Sequence, residues 1–271
     1  MKLAEMTTFE VDRLPRDMVV ITPVAALEQH SRHLPVFTDS IIAGAVSEAV
    51  EARLPKDVLL LPVQWAGASA HHLGFAGTVT LSVDTHTDVI EQMLRSLLAH
   101  GFANHLVLNG HGGNVDTMHM ALRRLSEAYP KAHLSAACYW DIAAGAIAGI
   151  LKGPKKDVGH ACEMETSLVM AIRPDLVRQK EIRDDPPRDD DRLKGVYIPL
   201  DMKAHTAQGE IGYASHATAA TGRKLLDAIV AEVTTTVAAL RKGATRGGLN
   251  HEGTKTRSRK KKSRRESNEP F

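Results

Sequence analysis

Several features that would place this protein in a special class are scarce or missing. Only two cysteines, Cys138 and Cys162, occur among 271 residues, so a disulfide scaffold is excluded and a reducing compartment is favoured. No apolar run approaches the ~18 residues of a membrane-spanning helix. The first fifteen residues lack the apolar segment of a secretory signal. We therefore expect a cytoplasmic protein with no membrane partner.

Positive charge is scarce outside the C-terminal end. Residues 244–271 carry nine Lys and Arg against three Glu, whereas the rest of the chain carries 25 Lys and Arg against 29 Asp and Glu. The run TRSRKKKSRR (256–265) can contact nucleic-acid phosphates weakly and non-specifically. Because no aromatic residues are interleaved with it, we expect residues 244–271 to be a disordered basic tail. Residues 1–243 are predicted to form a single domain.

Apolar, β-branched runs alternate with helical patterns along the body. The runs predict strands at 18–25, 57–65, 77–83, 104–110 and 133–140. The helical patterns predict helices at 39–55, 84–100, 114–129 and 218–242, and a turn that enters a buried helix at 159–172. This alternation indicates an α/β fold with a mainly parallel sheet.

Histidine is frequent, with 14 in the chain, and several histidines lie beside acidic residues or glycines. Glu28 and His30 are two residues apart, so on extended backbone they point to the same side. Asp39 opens the next helix and, taken alone, is read more readily as a helix cap than as a ligand. His111 lies in NGHGGN (109–114), after a predicted strand, where ligands gather in open α/β sheets. His33 is consistent with a ligand or with a loop histidine.

A second acidic segment is HACEMETS (160–167). If it is helical, His160 and Glu163 share a face, whereas Glu163 and Glu165 lie about 200° apart. Only one of the two glutamates is then expected to face a site. Carboxylates together with imidazoles suit Zn, Mn or Fe(II) better than Ca. The alternative, a set of unrelated polar residues, stays open on spacing alone.

Taken together, four blocks resemble the creatininase family of metal-dependent amidohydrolases over roughly residues 15–242. The blocks are LEQHSRHLPVFTD (27–39), GASAHHLGFAGTVTL (67–81), NGHGGN (109–114) and GHACEMETS (159–167). The resemblance implies a three-layer α/β/α sandwich with a mainly parallel central sheet and two divalent metal ions per chain. By motif position, Glu28 and His111 would bind one ion, His30 would bind the other, and Asp39 would bridge them.

The chain departs from the family pattern near the second ion. Gly113 stands where the family's creatinine-hydrolysing member has a glutamate, so Glu163 is predicted to replace it as ligand. Glu165 is then expected to support the ligands, or to be the alternative ligand. Gly112 and Lys156 stand where that member has a tyrosine and a tryptophan, which argues against creatinine as the substrate.

The resemblance implies hydrolysis of a C–N bond in a small cyclic amide or a formamide. His160 would be the catalytic residue that moves a proton from water to the leaving nitrogen. Ser69, His71 and Gly112 are weaker candidates for substrate contact, and Cys162 is read as a small buried residue. A homo-oligomer, a hexamer, is also implied. The alternatives are a metal-dependent phosphoester hydrolase and a nucleic-acid-binding protein that acts through its tail.

Overall fold

The computed structural model describes residues 1–186, 196, 198–199 and 201–245. At its centre is a parallel four-stranded sheet of order β2-β1-β3-β4. The strands are β1 (Val19–Val24), β2 (Val58–Leu60), β3 (Asn104–Asn109) and β4 (His133–Cys138), and β5 (Asp184–Asp185) pairs antiparallel with β6 (Gly212–Tyr213). The helices are α1 (Thr8–Asp12), α2 (Thr38–Arg53), α3 (Val83–Ala99), α4 (Val115–Ala128), α5 (Tyr139–Ile142), α6 (Ala144–Ile150), α7 (Glu163–Ile172), α8 (Met202–His205) and α9 (Ala219–Thr245).

Alternate side chains of the buried strands serve two different layers, as the two-residue period of a strand requires. In β3, Leu106 and Leu108 pack into a core built with α2, α7 and α9. Val107 between them packs into the opposite core, with α3 and α4. Helices therefore cover both faces of the sheet. The predicted α/β/α sandwich with a mainly parallel sheet is confirmed.

Two predicted strands differ from the structure. The run at 77–83 is not a strand: Val79 forms only an isolated bridge with Leu27, Gly77 has a φ of +95°, and Ser82 caps α3 by accepting from the Thr85 N–H. The run at 57–65 pairs regularly only over β2. Pro62 lies within that run and has no N–H to donate to a ladder.

The C-terminal helix α9 continues to Thr245, two residues beyond the predicted end of the domain. The predicted disordered tail lies outside the described residues from 246 onward. Within the described residues, no helix combines the length and the apolar character that crossing a membrane requires.

The crossing of α7 and α9 depends on a glycine. A Cβ added to Gly222 would lie 1.7 Å from the Ser167 carbonyl oxygen, so the two helices would have to separate. We expect Gly222→Ala to lower the free energy of unfolding by about 1–3 kcal/mol or more, as overpacked cores do. Gly243 is a matched control in the same helix, because a Cβ there meets nothing within 4 Å.

Gly243→Ala should instead stabilise the helix by about 0.5–1 kcal/mol. Both values follow from urea denaturation curves of the two variants. Equal effects of the two substitutions would contradict the packing argument.

Candidate metal centre

The predicted ligands come together at the carboxyl edge of the parallel sheet. Glu28 and His30 follow β1, Asp39 lies in the first turn of α2, and His111 follows β3. Strands β1 and β3 are adjacent and parallel, so their ends bring these segments side by side. The Glu28 N–H donates to the Val36 carbonyl oxygen and closes the loop that carries the first two ligands back toward α2.

One group of donor atoms consists of Glu28, Asp39 and His111, all buried. His111 Nδ1 lies 3.2 Å from Glu28 Oε1 and 3.2 Å from Asp39 Oδ2. His111 Nε2 lies 3.3 Å from the Ala68 carbonyl oxygen, which can only accept. In the neutral ring the hydrogen therefore sits on Nε2, and the Nδ1 lone pair faces two carboxylates.

A second group consists of His30, His160 and Glu165. His30 Nδ1 lies 3.2 Å from the Glu28 carbonyl oxygen, so its hydrogen donates there and Nε2 keeps its lone pair. His30 Nε2 lies 3.0 Å from Asp39 Oδ1 and 3.8 Å from Glu165 Oε1. A backbone carbonyl that fixes the tautomer of an imidazole in this way is typical of metal-ligating histidines.

Asp39 connects the two groups, because one oxygen faces His30 and the other faces His111. Burial opposes a positive charge on the His111 ring, but Glu28 and Asp39 outweigh it and raise the pKa of His111 to about 10. Burial alone would raise the pKa of Asp39, but His30 and His111 outweigh it and lower that pKa. The space between these atoms thus favours a positive charge.

Three atoms of the cluster have no hydrogen-bond partner among the described residues, although they are buried: Glu28 Oε2, His30 Nε2 and Asp39 Oδ2. An unpaired buried carboxylate oxygen or imidazole lone pair is costly unless a cation accepts it. A donor set of imidazoles and carboxylates fits Zn, Mn or Fe better than Ca. The residues present therefore fit divalent ions.

The geometry corrects the expectation for Glu163. Its carboxylate accepts from the backbone N–H groups of Lys152, at 2.9 Å, and Gly153, at 2.7 Å, and so faces away from the cluster. Glu165 reaches the cluster instead, through Oε1 beside His30. Its other oxygen accepts from the Cys162 N–H at 3.3 Å and caps the start of α7.

The helical facing expected for 160–167 is wrong, because residues 160–162 are not helical. His160 forms an isolated bridge with Ile211, Ala161 has a φ of +48°, and α7 begins only at Glu163. His160 and Glu163 therefore share no helical face. The structure also shows why position 113 carries no acid: a Cβ on Gly113 would lie 2.3 Å from the Ala68 carbonyl oxygen.

His160, the predicted catalytic residue, lies at the cluster. Its Nδ1 is 3.8 Å from Glu28 Oε1, and its Nε2 is 2.8 Å from the Gln29 carbonyl oxygen. Burial and the neighbouring His30 lower the pKa of His160 to about 3. The ring is thus neutral near pH 7.

His72 is a residue at the site that the sequence reasoning missed. It is buried, and its Nε2 lies 3.4 Å from Glu28 Oε1. The signal was present in the AHH motif, but the neighbouring His71 was preferred. His72, at the end of the 3₁₀ turn Ala70–His72, is buried, whereas His71 is only partly buried.

The remaining candidate site residues lie at different positions relative to the cluster. His71 and Gly112 line a cavity of about 1170 Å³ that opens over the cluster. Ser69 is buried, and its hydroxyl lies 3.1 Å from His111 Nε2. His33 lies outside the donor groups, with Nε2 2.9 Å from the Thr166 hydroxyl. Burial raises the pKa of the Cys162 thiol to about 12, which suits a small buried residue and not a nucleophile.

Comparisons with known proteins agree with this geometry. Residues 4–237 match the family model for creatininase, creatinine amidohydrolase. The chain is 29% identical over 228 residues to creatinine amidohydrolase of Pseudomonas putida, covering 79% of this chain and 86% of that protein. It is 32% identical over 185 residues to mycofactocin precursor peptide peptidase of Mycobacterium ulcerans (strain Agy99), covering 65% of this chain and 67% of that protein.

Solved structures give the same result for the fold. A crystal structure of creatininase matches with a TM-score of 0.74 at 28% identity, over 88% of this chain and 96% of that chain. Creatininase structures with similar matches include a mutant in a Zn–Zn form and a manganese form. Because the family model spans most of its length, the chain belongs to the creatininase family.

Proposed function

We propose that this protein is a metal-dependent hydrolase that cleaves the C–N bond of a small cyclic amide or a formamide, with two divalent ions per chain. The single observation that carries the proposal is that the imidazole lone pairs of His30 and His111 face the two carboxylate oxygens of Asp39. Its two oxygens lie 3.0 Å from His30 Nε2 and 3.2 Å from His111 Nδ1. Zn, Mn and Fe suit these donors, and the related creatininase has zinc and manganese forms.

In the proposed arrangement Glu28 and His111 would hold one ion, His30 and Glu165 would hold the other, and Asp39 would contribute an oxygen to each. Two such ions would lower the pKa of a bound water and polarise the carbonyl of the substrate. The chain supplies the geometry: backbone carbonyl oxygens fix the rings of His30 and His111, so that their lone pairs face inward.

His160 is proposed to move the proton. Its Nε2–H is held by the Gln29 carbonyl oxygen, which leaves Nδ1 free to accept a proton at the cavity floor. The lowered pKa keeps the resting ring neutral, so its Nδ1 lone pair is unprotonated. The proton would then pass to the leaving nitrogen, as the resemblance implies.

A second candidate substrate class is a peptide. The cavity volume of about 1170 Å³ exceeds the ~300–1,000 Å³ typical of small-molecule sites, so a cyclic amide would fill only part of it. A related protein acts on the mycofactocin precursor peptide. Leu81, Val83 and Trp140 in the cavity wall would favour apolar groups in such a substrate.

A substrate panel on protein loaded with zinc, manganese or iron tests the proposal. It compares cyclic amides, formamides, short peptides and phosphoesters at equal concentration. The proposal requires turnover of at least one amide class and loss of that turnover in His160→Asn. Turnover of phosphoesters alone would replace it with the phosphoesterase alternative. The tail that motivates nucleic-acid binding lies outside the described residues, so that alternative and the basic tail stay predictions from the sequence.

Removal of metal should destabilise the protein. A ligand bound only to the folded state stabilises it by about 4 kcal/mol when present at 1,000 times its Kd. We expect EDTA to lower the melting temperature measured by calorimetry, and added zinc or manganese to restore it. Calcium is the matched control and should restore little, because the donor set contains imidazoles. An unchanged melting temperature in EDTA would argue against a bound ion.

The hexamer stays a proposal that rests on the resemblance. Light scattering checks it, since a monomer has a mass of 29.4 kDa.

A further inference from the structure

Gln29 occupies the position between two histidines of the site. Its side-chain Nε2 lies 2.9 Å from His72 Nδ1, 3.0 Å from His160 Nε2 and 3.0 Å from the Gly209 carbonyl oxygen. Its backbone oxygen lies 2.8 Å from His160 Nε2. One residue that ligates no metal thus contacts two rings at the cavity floor.

The Gln29 amide cannot rotate to another orientation. Its Oε1 accepts from the Ser31 N–H at 2.9 Å, which places Nε2 toward the histidines. Gly209, with a φ of +96°, packs against the same amide, and a Cβ there would lie 1.9 Å from Oε1. The contact with Ser31 and the packing of Gly209 hold the amide in one direction.

The hydrogens can be assigned from these contacts. Nε2 of Gln29 has two hydrogens, one for the Gly209 carbonyl oxygen and one for a ring nitrogen. If that nitrogen is His72 Nδ1, then His160 Nε2 donates to the Gln29 carbonyl oxygen and every group is paired. If it is His160 Nε2 instead, that nitrogen accepts and carries no hydrogen. The Gln29 carbonyl oxygen then has no donor, and His72 Nδ1 has no hydrogen-bond partner.

The assignment gives the two rings different roles. His72 carries its hydrogen on Nε2, which lies 3.4 Å from Glu28 Oε1, and it therefore presents a donor to that carboxylate. His160 carries its hydrogen on the Nε2 that faces Gln29 and presents the Nδ1 lone pair to the cluster. The site thus has one imidazole that donates to Glu28 and one that can accept a proton.

We propose that Gln29 is a positioning residue that fixes the tautomers of His72 and His160. His72 then presents an N–H to Glu28, and His160 presents a lone pair to the cluster. The catalytic consequence rests on the proposed function, whereas the tautomers themselves do not. Residues that orient metal ligands typically change activity by ~10–100-fold when altered.

The test is ¹⁵N NMR of zinc-loaded, full-length protein labelled at histidine. Signals of the two rings are assigned by their loss in His72→Asn and His160→Asn. In the unmodified protein the hydrogen is expected on Nε2 of both rings. In Gln29→Glu the new carboxylate accepts where the amide donated, so His72 should move its hydrogen to Nδ1. Turnover of the substrate found in the panel should fall ~10–100-fold, in kcat more than in KM.

Ser31→Gly is the matched control. It removes the hydroxyl that donates to Glu210 but keeps the backbone N–H that holds Gln29. Both tautomers should therefore stay unchanged. A hydrogen on Nδ1 of His72 in the unmodified protein, or an unchanged tautomer in Gln29→Glu, would overturn the proposal. The unmodified spectrum decides the assignment even if Gln29→Glu fails to fold. Absent hydrolysis with the expected tautomers would count against the proposed function alone.

Discussion

Asp39→Ala is expected to remove both metal ions and to lower turnover by roughly 10³-fold or more. Metal ions that polarise a carbonyl contribute several kcal/mol to the transition state, and each ~1.4 kcal/mol is a factor of ten in rate. Asp39 is the residue whose two oxygens face both donor groups, at 3.0 Å from His30 Nε2 and 3.2 Å from His111 Nδ1. Its loss therefore weakens both sites at once.

The measurement for Asp39→Ala is elemental analysis by mass spectrometry, together with kcat and the melting temperature. Asp116→Ala is the matched control for metal content, because Asp116 is an exposed carboxylate in the wall of the same cavity. It should keep both ions. If Asp39→Ala keeps its full metal content, Asp39 does not bridge.

Glu165→Gln is expected to reduce the metal content from two ions to one and to abolish most turnover, whereas Glu163→Gln should keep both ions. Glu165 Oε1 lies beside His30 Nε2, at 3.8 Å. Both oxygens of Glu163 are occupied by backbone N–H groups of Lys152 and Gly153. An amide can accept only one of these two bonds, so Glu163→Gln should cost about 1–3 kcal/mol of stability.

The pair of glutamate variants is decisive because the two positions are close in sequence and both are buried. Metal content and urea denaturation are measured on each variant. The expected pattern is a loss of metal in one and a loss of stability in the other. A loss of the ion in Glu163→Gln with retention in Glu165→Gln would return the ligand role to Glu163.

The sequence predicts the part of the site that strand geometry sets. Glu28, His30 and His111 follow buried strands, and parallel neighbours end at one edge of a sheet, so their approach follows from the order of elements. The position of Asp39 at the start of α2 alone favours a helix cap, and its role as a ligand follows from the resemblance. The structure brings the side chains of these four residues together.

Which of Glu163 and Glu165 reaches the cluster could not be predicted, because it depends on where α7 begins. A helix through 160–167 places His160 and Glu163 on one face, but the backbone bridge between His160 and Ile211 and the positive φ of Ala161 delay the helix start. The bridge joins His160 to a residue about 50 positions away in the chain. Periodicity within an eight-residue segment contains no information on this contact.

His72 was missed for a similar reason. Two adjacent histidines point in different directions, and the position of the His72 ring depends on the 3₁₀ turn and on the Gln29 amide that bonds His72 Nδ1. The predicted strand at 77–83 failed because Gly77 and the Ser82 cap turn a β-branched run into a loop and a helix start.

The most direct test of the two-ion site is a crystal structure of metal-loaded protein with anomalous difference maps at the zinc and manganese edges. The account predicts two peaks about 3.5–4 Å apart, a spacing typical of paired catalytic ions. One should contact Glu28 and His111, the other His30 and Glu165, with Asp39 between them. A single peak, no peak, or a peak bound by Glu163 would contradict it.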